Sequence, residues 1–321
     1  VSRSRVLITG ANGFVGRALT HYLLGKGWPV TCAMRSDDMP TAGVTRKVIL
    51  PAMDERTVWA EALSECSVVV HLAARVHVMN DSAADPLAEF RKTNVEGTLN
   101  LARQAAAAGV KRFVFMSSVK VNGEQTLPGQ AYTEASTASP QDAYGQSKYE
   151  AEQGLIAIAG QTGMEVVIIR PPLIYGAGVK ANFASMLNYV KRGIPLPLGA
   201  IHNKRSFVYL GNLLSLIECC VDHPAAANQV FLVSDGNDLS TTALLCSCAA
   251  ALGVNARLVP VPQRLIELCA ALLGKKAVAQ RLCGNLQVDI SKARTLLGWV
   301  PPVSVADGLR ATVIGLLEMD K

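Results

Sequence analysis

Short apolar, β-branched runs recur along the first half of the chain: RVLI (5–8), PVTCAM (29–34), RKVIL (46–50), SVVVHL (67–72), RFVFM (112–116) and EVVIIR (165–170). A strand with one wet face would alternate apolar and polar positions. These runs do not, and so predict strands buried on both faces. Between them, RALTHYLLGKG and LAEFRKTNVEGTLNLARQAAAAG repeat their apolar positions at helical spacing. Such alternation predicts an α/β fold, a parallel sheet covered by helices on each side. After Arg170 the pattern changes to glycine- and proline-rich loops, PPLIYGAGVK and RGIPLPLGAIHNKRSF, set among shorter helices. The expected division is therefore a first domain over residues 1–170 and a smaller α/β domain over 171–321.

The first strand runs straight into TGANGFVG, with Gly10, Gly13 and Gly16 in GxxGxxG spacing. Glycines at a strand-to-helix turn let the backbone approach a pyrophosphate, whose charge is met by the N–H groups opening the helix. This assigns residues 1–170 to a doubly wound, Rossmann-type dinucleotide-binding unit, with Gly10, Asn12, Gly13, Phe14, Val15 and Gly16 along the cofactor. At the end of the second strand, in AMRSDD, Met34 stands at the usual place of the acidic residue that binds the adenosine ribose of NAD, and Arg35 follows. An arginine there suits a 2′-phosphate, so NADP(H) is favoured. Asp37 and Asp38 keep NAD(H) open.

Composition narrows the class. Of 321 residues, 50% are hydrophobic and 17% charged, as in a soluble globular protein. The net charge of +6, from 31 Lys and Arg against 25 Asp and Glu, is spread without runs, which argues against a nucleic-acid partner. The eight cysteines show no CxxC pair and read as reduced thiols, with neither a disulfide frame nor a metal site expected. RVLITG begins too early for a cleavable signal, and no apolar stretch reaches about 18 residues, the length of a span. A cytoplasmic protein without an integral membrane segment is the expectation. One stretch, LIELCAALL (265–273) followed by Lys275 and Lys276, suits a buried helix, a subunit contact or a membrane surface.

In AYGQSKYEAEQ (143–153), Tyr144 and Lys148 are four residues apart and share one helix face. Alone, the pair would be an ordinary surface. Yet TGANGFVG, VVVHLAA, TNVEGT, FMSS, YGQSK, RPPLIYG, KRSFVYLGNL and LGWVPP follow in an order that resembles the extended short-chain dehydrogenase/reductase family of nucleotide-sugar epimerases, dehydratases and reductases.

The resemblance implies a catalytic trio of Ser118, Tyr144 and Lys148. Tyr144 would exchange a proton at the sugar oxygen, Ser118 would orient that oxygen, and Lys148 would lower the phenol's pKa while holding the nicotinamide ribose. It further implies cofactor contacts at Leu72, Ala73, Ala74, Asn94 and Pro171, and contacts to a UDP-sugar at Lys180, Asn182, Phe183 and Arg205 as well as Ser118 and Tyr144. Relatives commonly form homodimers through the YxxxK helix, and some segments of their second domain return to the main sheet. Dehydratases carry an Asp-Glu pair where this chain has Val119 and Lys120, so dehydration is not expected. Arg35, Ala52 in place of an adenine-gripping aspartate, and Asn122 in place of a tyrosine lean toward NAD(P)H-dependent reduction of a UDP-4-keto-6-deoxy-N-acetylhexosamine for surface polysaccharide. A UDP-hexose or UDP-N-acetylhexosamine 4-epimerase with bound NAD is the alternative, and a non-catalytic dinucleotide-binding regulator stands behind both.

Overall fold

The structure, a computed structural model, describes residues 3–37, 43–76, 85–179 and 181–319. Among these the main-sheet strands β1 (Arg5–Thr9), β2 (Val30–Met34), β3 (Arg46–Ile49), β4 (Cys66–His71), β5 (Arg112–Met116) and β6 (Glu165–Arg170) match the six apolar runs. Beyond them, β7 (Leu173–Tyr175) and β8 (Phe207–Tyr209) pair with each other, and β9 (Gln229–Leu232) returns to the main sheet. That sheet is parallel throughout, in the order β3-β2-β1-β4-β5-β6-β9. The chain reverses its direction of travel between β1 and β4, and in such sheets the crevice beyond the carboxyl ends of those strands is where ligands bind.

Both faces are covered, which is why the strands are continuously apolar. Val6, Ile8, Val70, Val114 and Ile169 pack with Leu19 and Leu23 of α1 (Phe14–Gly25) on one side. Leu7, Val69, Phe113, Phe115 and Ile168 point to the other side. There they meet Ala62 of α2 (Ala60–Leu63), then, beyond α3 (Pro86–Arg91), Leu101 of α4 (Thr98–Ala107) and Leu155 of α5 (Ala143–Thr162).

The stretch 87–109, which reads as one helix, is helical without a gap from 86 to 107 but not α-helical throughout. Between α3 and α4 lies a π-helical turn, Lys92–Gly97. A Cβ on Gly97 would sit 2.7 Å from the Met53 carbonyl oxygen, so the helix can lie against that backbone only with glycine there. The wider turn buries Asn94.

The remaining helices are α6 (Ala181–Lys191), α7 (Leu210–Asp222), α8 (Thr241–Leu252), α9 (Gln263–Leu272), α10 (Lys276–Cys283), α11 (Ser291–Leu297) and α12 (Val305–Met319). Leu213 and Ile217 of α7 join the α1 side of the main core. Tyr175, Phe183, Leu187, Phe207, Leu244 and Leu309 form a separate cluster over β7 and β8. The eight cysteines are free thiols, and no cluster that could hold a metal occurs among the described residues. No helix among them is long and apolar enough to cross a membrane.

Two buried polar assemblies join these layers. Glu152 of α5 accepts two hydrogen bonds from Arg170 of β6, Nε at 2.9 Å and Nη2 at 2.5 Å, and a third from the Ser117 hydroxyl. Arg170 Nη1 donates to Asn122 Oδ1 at 3.2 Å. In the other, His71 lies between Thr9 of β1 (Nδ1 to Oγ1, 2.7 Å) and Thr98 of α4 (Nε2 to Oγ1, 2.9 Å). Burial, with the Lys148 charge nearby, pushes the imidazole down to about 3, so it is neutral.

Glu152→Ala is expected to cost about 3–5 kcal/mol by leaving a buried guanidinium without its carboxylate, read as a lowered urea midpoint. A loss below about 1 kcal/mol would show the pair to be dispensable. His71 makes stability depend on pH. Its folded value lies below the unfolded one of about 6.5, so the unfolded chain binds a proton that the fold refuses. Stability is complete above pH ~6.5 and falls as pH drops toward 3, by roughly 2 kcal/mol between pH 7 and 5. Urea titrations should show a smaller drop over that interval for His71→Asn than for the wild type.

Candidate active site

The glycine turn lies at the carboxyl end of β1. Gly10 has φ +65°, and a Cβ on it would come within 2.8 Å of the Ala73 nitrogen. Gly16 packs against the Gly10–Ala11 backbone so closely that a Cβ would lie 2.8 Å from the Ala11 Cα. Gly13 caps α1 with no side-chain hydrogen bond, so the helix opens at Phe14 and Val15 without an internal side-chain acceptor. These three glycines leave a side-chain-free cradle ending on helix N–H groups, which fits a dinucleotide pyrophosphate. Leu72, Ala73 and Ala74 continue from β4 beside it, each half-buried, and the Ala73 N–H donates to Thr9 Oγ1 at 3.2 Å.

At the end of β2, Asn12 Nδ2 donates to Ser36 Oγ at 3.3 Å, bringing the glycine turn to the neighbouring strand end. Arg35 is exposed there. Asp37 is engaged in an ion pair with Lys47, while Asp38 lies outside the described residues.

Ser118, Tyr144 and Lys148 come from two elements. Ser118 follows β5 in extended conformation, caps a 3₁₀ turn over Val119–Val121, and accepts from the Lys120 N–H at 3.2 Å. The two serines of MSSV are thereby separated. Ser117 gives its hydroxyl to buried Glu152, whereas Ser118 is partly open. Asp142 caps α5, accepting from the Gly145 N–H at 2.7 Å, and starts the helix that presents Tyr144 and Lys148. Lys148 is 2% exposed; its Nζ donates to the Met116 carbonyl at 2.8 Å, 4.5 Å from the Phe115 ring centre and 5.9 Å from that of Tyr144.

Burial lowers Lys148 to about 7, with Glu152 one turn on acting against the shift. Burial, and then the Asp142 charge, push the half-buried Tyr144 phenol above its ordinary value. The sequence leads one to expect the ammonium to lower the phenol. Here desolvation prevails, and the Lys148 ammonium is directed to the Met116 carbonyl.

Asn94 holds the surroundings together. Its Oδ1 accepts from the Arg75 N–H at 2.8 Å, and its Nδ2 donates to the Arg75 carbonyl and to Ser147 Oγ, both at 3.0 Å. The loop after β4 is thus tied to α5. The Pro171 carbonyl accepts from the Val119 N–H at 3.0 Å, tying the ends of β5 and β6. Lys120 pairs with Asp142 and with Glu124, 3.2 Å away, so a cation occupies the place of a dehydratase acid-base pair.

Of the expected sugar-nucleotide contacts, Lys180 lies outside the described residues and Asn182 falls in the first turn of α6. Phe183 is 5% exposed and stacked on Tyr175 with ring centres 5.6 Å apart, so its side chain belongs to the core. Arg205 donates through Nη1 to the Gly284 carbonyl at 3.0 Å, and no ion pair engages it among the described residues. Its pKa is lowered by burial and by the charge of Arg281, against Glu124. Arg281 was missed in the sequence because it lies 76 positions beyond Arg205. The positive charge of Arg281 near the buried Arg205 guanidinium makes this part of the surface favour an anion.

Comparison with known proteins bears on the family and the fold. The profile of the NAD dependent epimerase/dehydratase family matches residues 6–234. A UDP-glucose 4-epimerase from Vibrio cholerae is 47% identical over 315 residues, 98% of this chain and 95% of its own. Among solved structures, the fold is similar to that of the UDP-glucuronic acid 4-epimerase of Bacillus cereus in complex with NAD (TM-score 0.78, 20% identity, 99% and 100% of the two chains). It is also similar to the Thermotoga maritima UDP-glucose 4-epimerase with UDP-glucose (TM-score 0.77, 22% identity, 99% and 100%). Matched over most of its length by the family profile and nearly half-identical to a relative from end to end, the chain belongs to the NAD dependent epimerase/dehydratase family and is an enzyme that works through a nicotinamide dinucleotide.

Proposed function

We propose that the protein is a 4-epimerase of a UDP-hexose or UDP-N-acetylhexosamine, with NAD retained through turnover. The observation that carries this reading is its end-to-end similarity to the Vibrio cholerae UDP-glucose 4-epimerase, joined to a partly open Ser118 after β5 and to Lys148 set 5.9 Å from the Tyr144 ring centre. The weight of the comparisons thus falls on epimerisation over the 4-keto reduction favoured by the sequence. When bound, the nicotinamide supplies the hydride acceptor that lets C4 be oxidised and reduced again.

The residues supply the remainder. Gly10, Gly13, Gly16, Phe14 and Val15 hold the pyrophosphate, and Leu72 to Ala74 give the dinucleotide a smooth wall. Ser118 Oγ orients the C4 oxygen, and Tyr144 Oη takes the proton from it and later returns it. The raised phenol is ready as an acid. To act as a base it needs positive charge close by, and Lys148, poised near neutrality, provides it. Arg205 and Arg281 hold the diphosphate, fixing the sugar by its distant end so that either face of C4 can be presented. A homodimer formed through α4 and α5 is part of the proposal, and half-exposed Ile156 on α5 suits such a contact.

Reduction of a 4-keto UDP-sugar with NADPH remains the second reading, supported by the exposed Arg35 at the end of β2 and by Asp37 being engaged with Lys47. One experiment separates them. Purified protein given UDP-galactose or UDP-N-acetylgalactosamine, with no added cofactor, should form the C4 epimer and release NAD on denaturation. Stoichiometric oxidation of NADPH by UDP-4-keto-6-deoxy-N-acetylglucosamine, without epimerisation, would replace this reading with the reductase. Tyr144→Phe should lower turnover by about a hundredfold or more, and near-normal turnover would refute the proton-transfer role.

A further inference from the structure

Helix α9 is turned the wrong way for a helix of a water-soluble protein. Leu265, Leu268, Cys269 and Leu272 stand at i, i+3, i+4 and i+7 and so form one stripe. The stripe faces outward: Leu265, Leu268 and Leu272 are 49%, 56% and 79% exposed, Cys269 is exposed, and no residue of the helix is fully buried. The apolar surface continues past the helix with Leu273 at 72% and Val278 of α10 at 50%.

A row of large aliphatic side chains in water loses the burial that ordinarily stabilises such a helix, and contiguous patches of this kind mark contact surfaces. Charge identifies the occupant. Arg264, Lys275 and Lys276 border the stripe and are exposed. The one acid between 263 and 278 is Glu267, which accepts from Gln263 at 2.8 Å and bears on the Cys283 thiol of α10. Leucines flanked by Lys and Arg match a surface of acyl chains beneath anionic headgroups.

We propose that the α9–α10 hairpin docks the protein on an anionic phospholipid surface, with the Leu265–Leu272 stripe inserted among the acyl chains and Arg264, Lys275 and Lys276 at headgroup level. The contact is peripheral, since α9 has 10 residues and cannot span. Docking would also carry the site to the membrane. The far end of α10 is bound to the substrate side through Arg205 to the Gly284 carbonyl, and Asn203 Nδ2 donates to the Leu282 and Gly284 carbonyls at 3.2 and 2.8 Å.

The test is co-sedimentation of the full chain with vesicles of phosphatidylcholine alone or with about one third phosphatidylglycerol, a content that sets the negative surface potential. The wild type should pellet with the anionic vesicles and be released by salt. Lys275→Glu/Lys276→Glu should weaken binding roughly tenfold or more, and Leu268→Ser/Leu272→Ser should abolish it. These side chains touch neither core nor site, so activity on soluble UDP-sugar should remain unchanged, and the outcome does not depend on which sugar reaction is catalysed. Absence of vesicle binding by the wild type, or equal binding by the serine variant, would overturn the proposal. So would a dimer by light scattering that the serine substitutions dissolve in the absence of lipid binding, which would assign the face to a second copy of this chain.

Discussion

The ion pair between Glu152 and Arg170 is the constraint on which the arrangement of the site rests. Glu152 lies on α5, two turns beyond Tyr144 and one beyond Lys148, and Arg170 ends β6. A guanidinium and a carboxylate can remain so deeply buried only if their hydrogen bonds are satisfied. Ser117 and Asn122 complete the set from the end of β5 and the turn after it. The angle at which α5 crosses the sheet, and hence where its tyrosine and lysine point, is therefore set by charge as well as by packing. The pair is paid for in desolvation, and it secures one register of helix on strand.

Around this pair the buried polar groups are positioning devices. His71, neutral because buried, holds β1 and β4 to α4 at the point where the glycine turn needs the Ala73 backbone nearby. Asn94 joins the loop after β4 to α5 from inside a π-helical turn. Each side chain connects two segments that contribute to the dinucleotide cleft. The glycine turn, the loop after β4 and the face of α5 that carries Tyr144 and Lys148 are consequently tied together by hydrogen bonds.

Fold alone does not choose the reaction, because one architecture can host different chemistries. Arg35 follows β2, and Arg205 lies two residues before β8.

Much of the architecture was legible in the chain itself. Six strands showed as unbroken apolar runs because a sheet covered on both faces asks for nothing else, and the glycine triplet marked the cleft because only glycine allows backbone to approach backbone at Gly10 and Gly16. Tyr144 and Lys148 share a helix face by spacing alone, but it was the run of motifs around them that singled the pair out. Tertiary structure alone decided what depends on distant partners. It separated Ser117 from Ser118, put the charge of Arg281 within reach of Arg205, added β9 from a run too short to stand out, and widened 87–109 into a π-helical turn where Gly97 meets Met53. It also set the direction of the Tyr144 shift, since burial is a property of the assembled pocket, and it turned the leucines of α9 outward. Periodicity reports that a helix has an apolar face; what that face meets is determined only when the rest of the chain has folded around it.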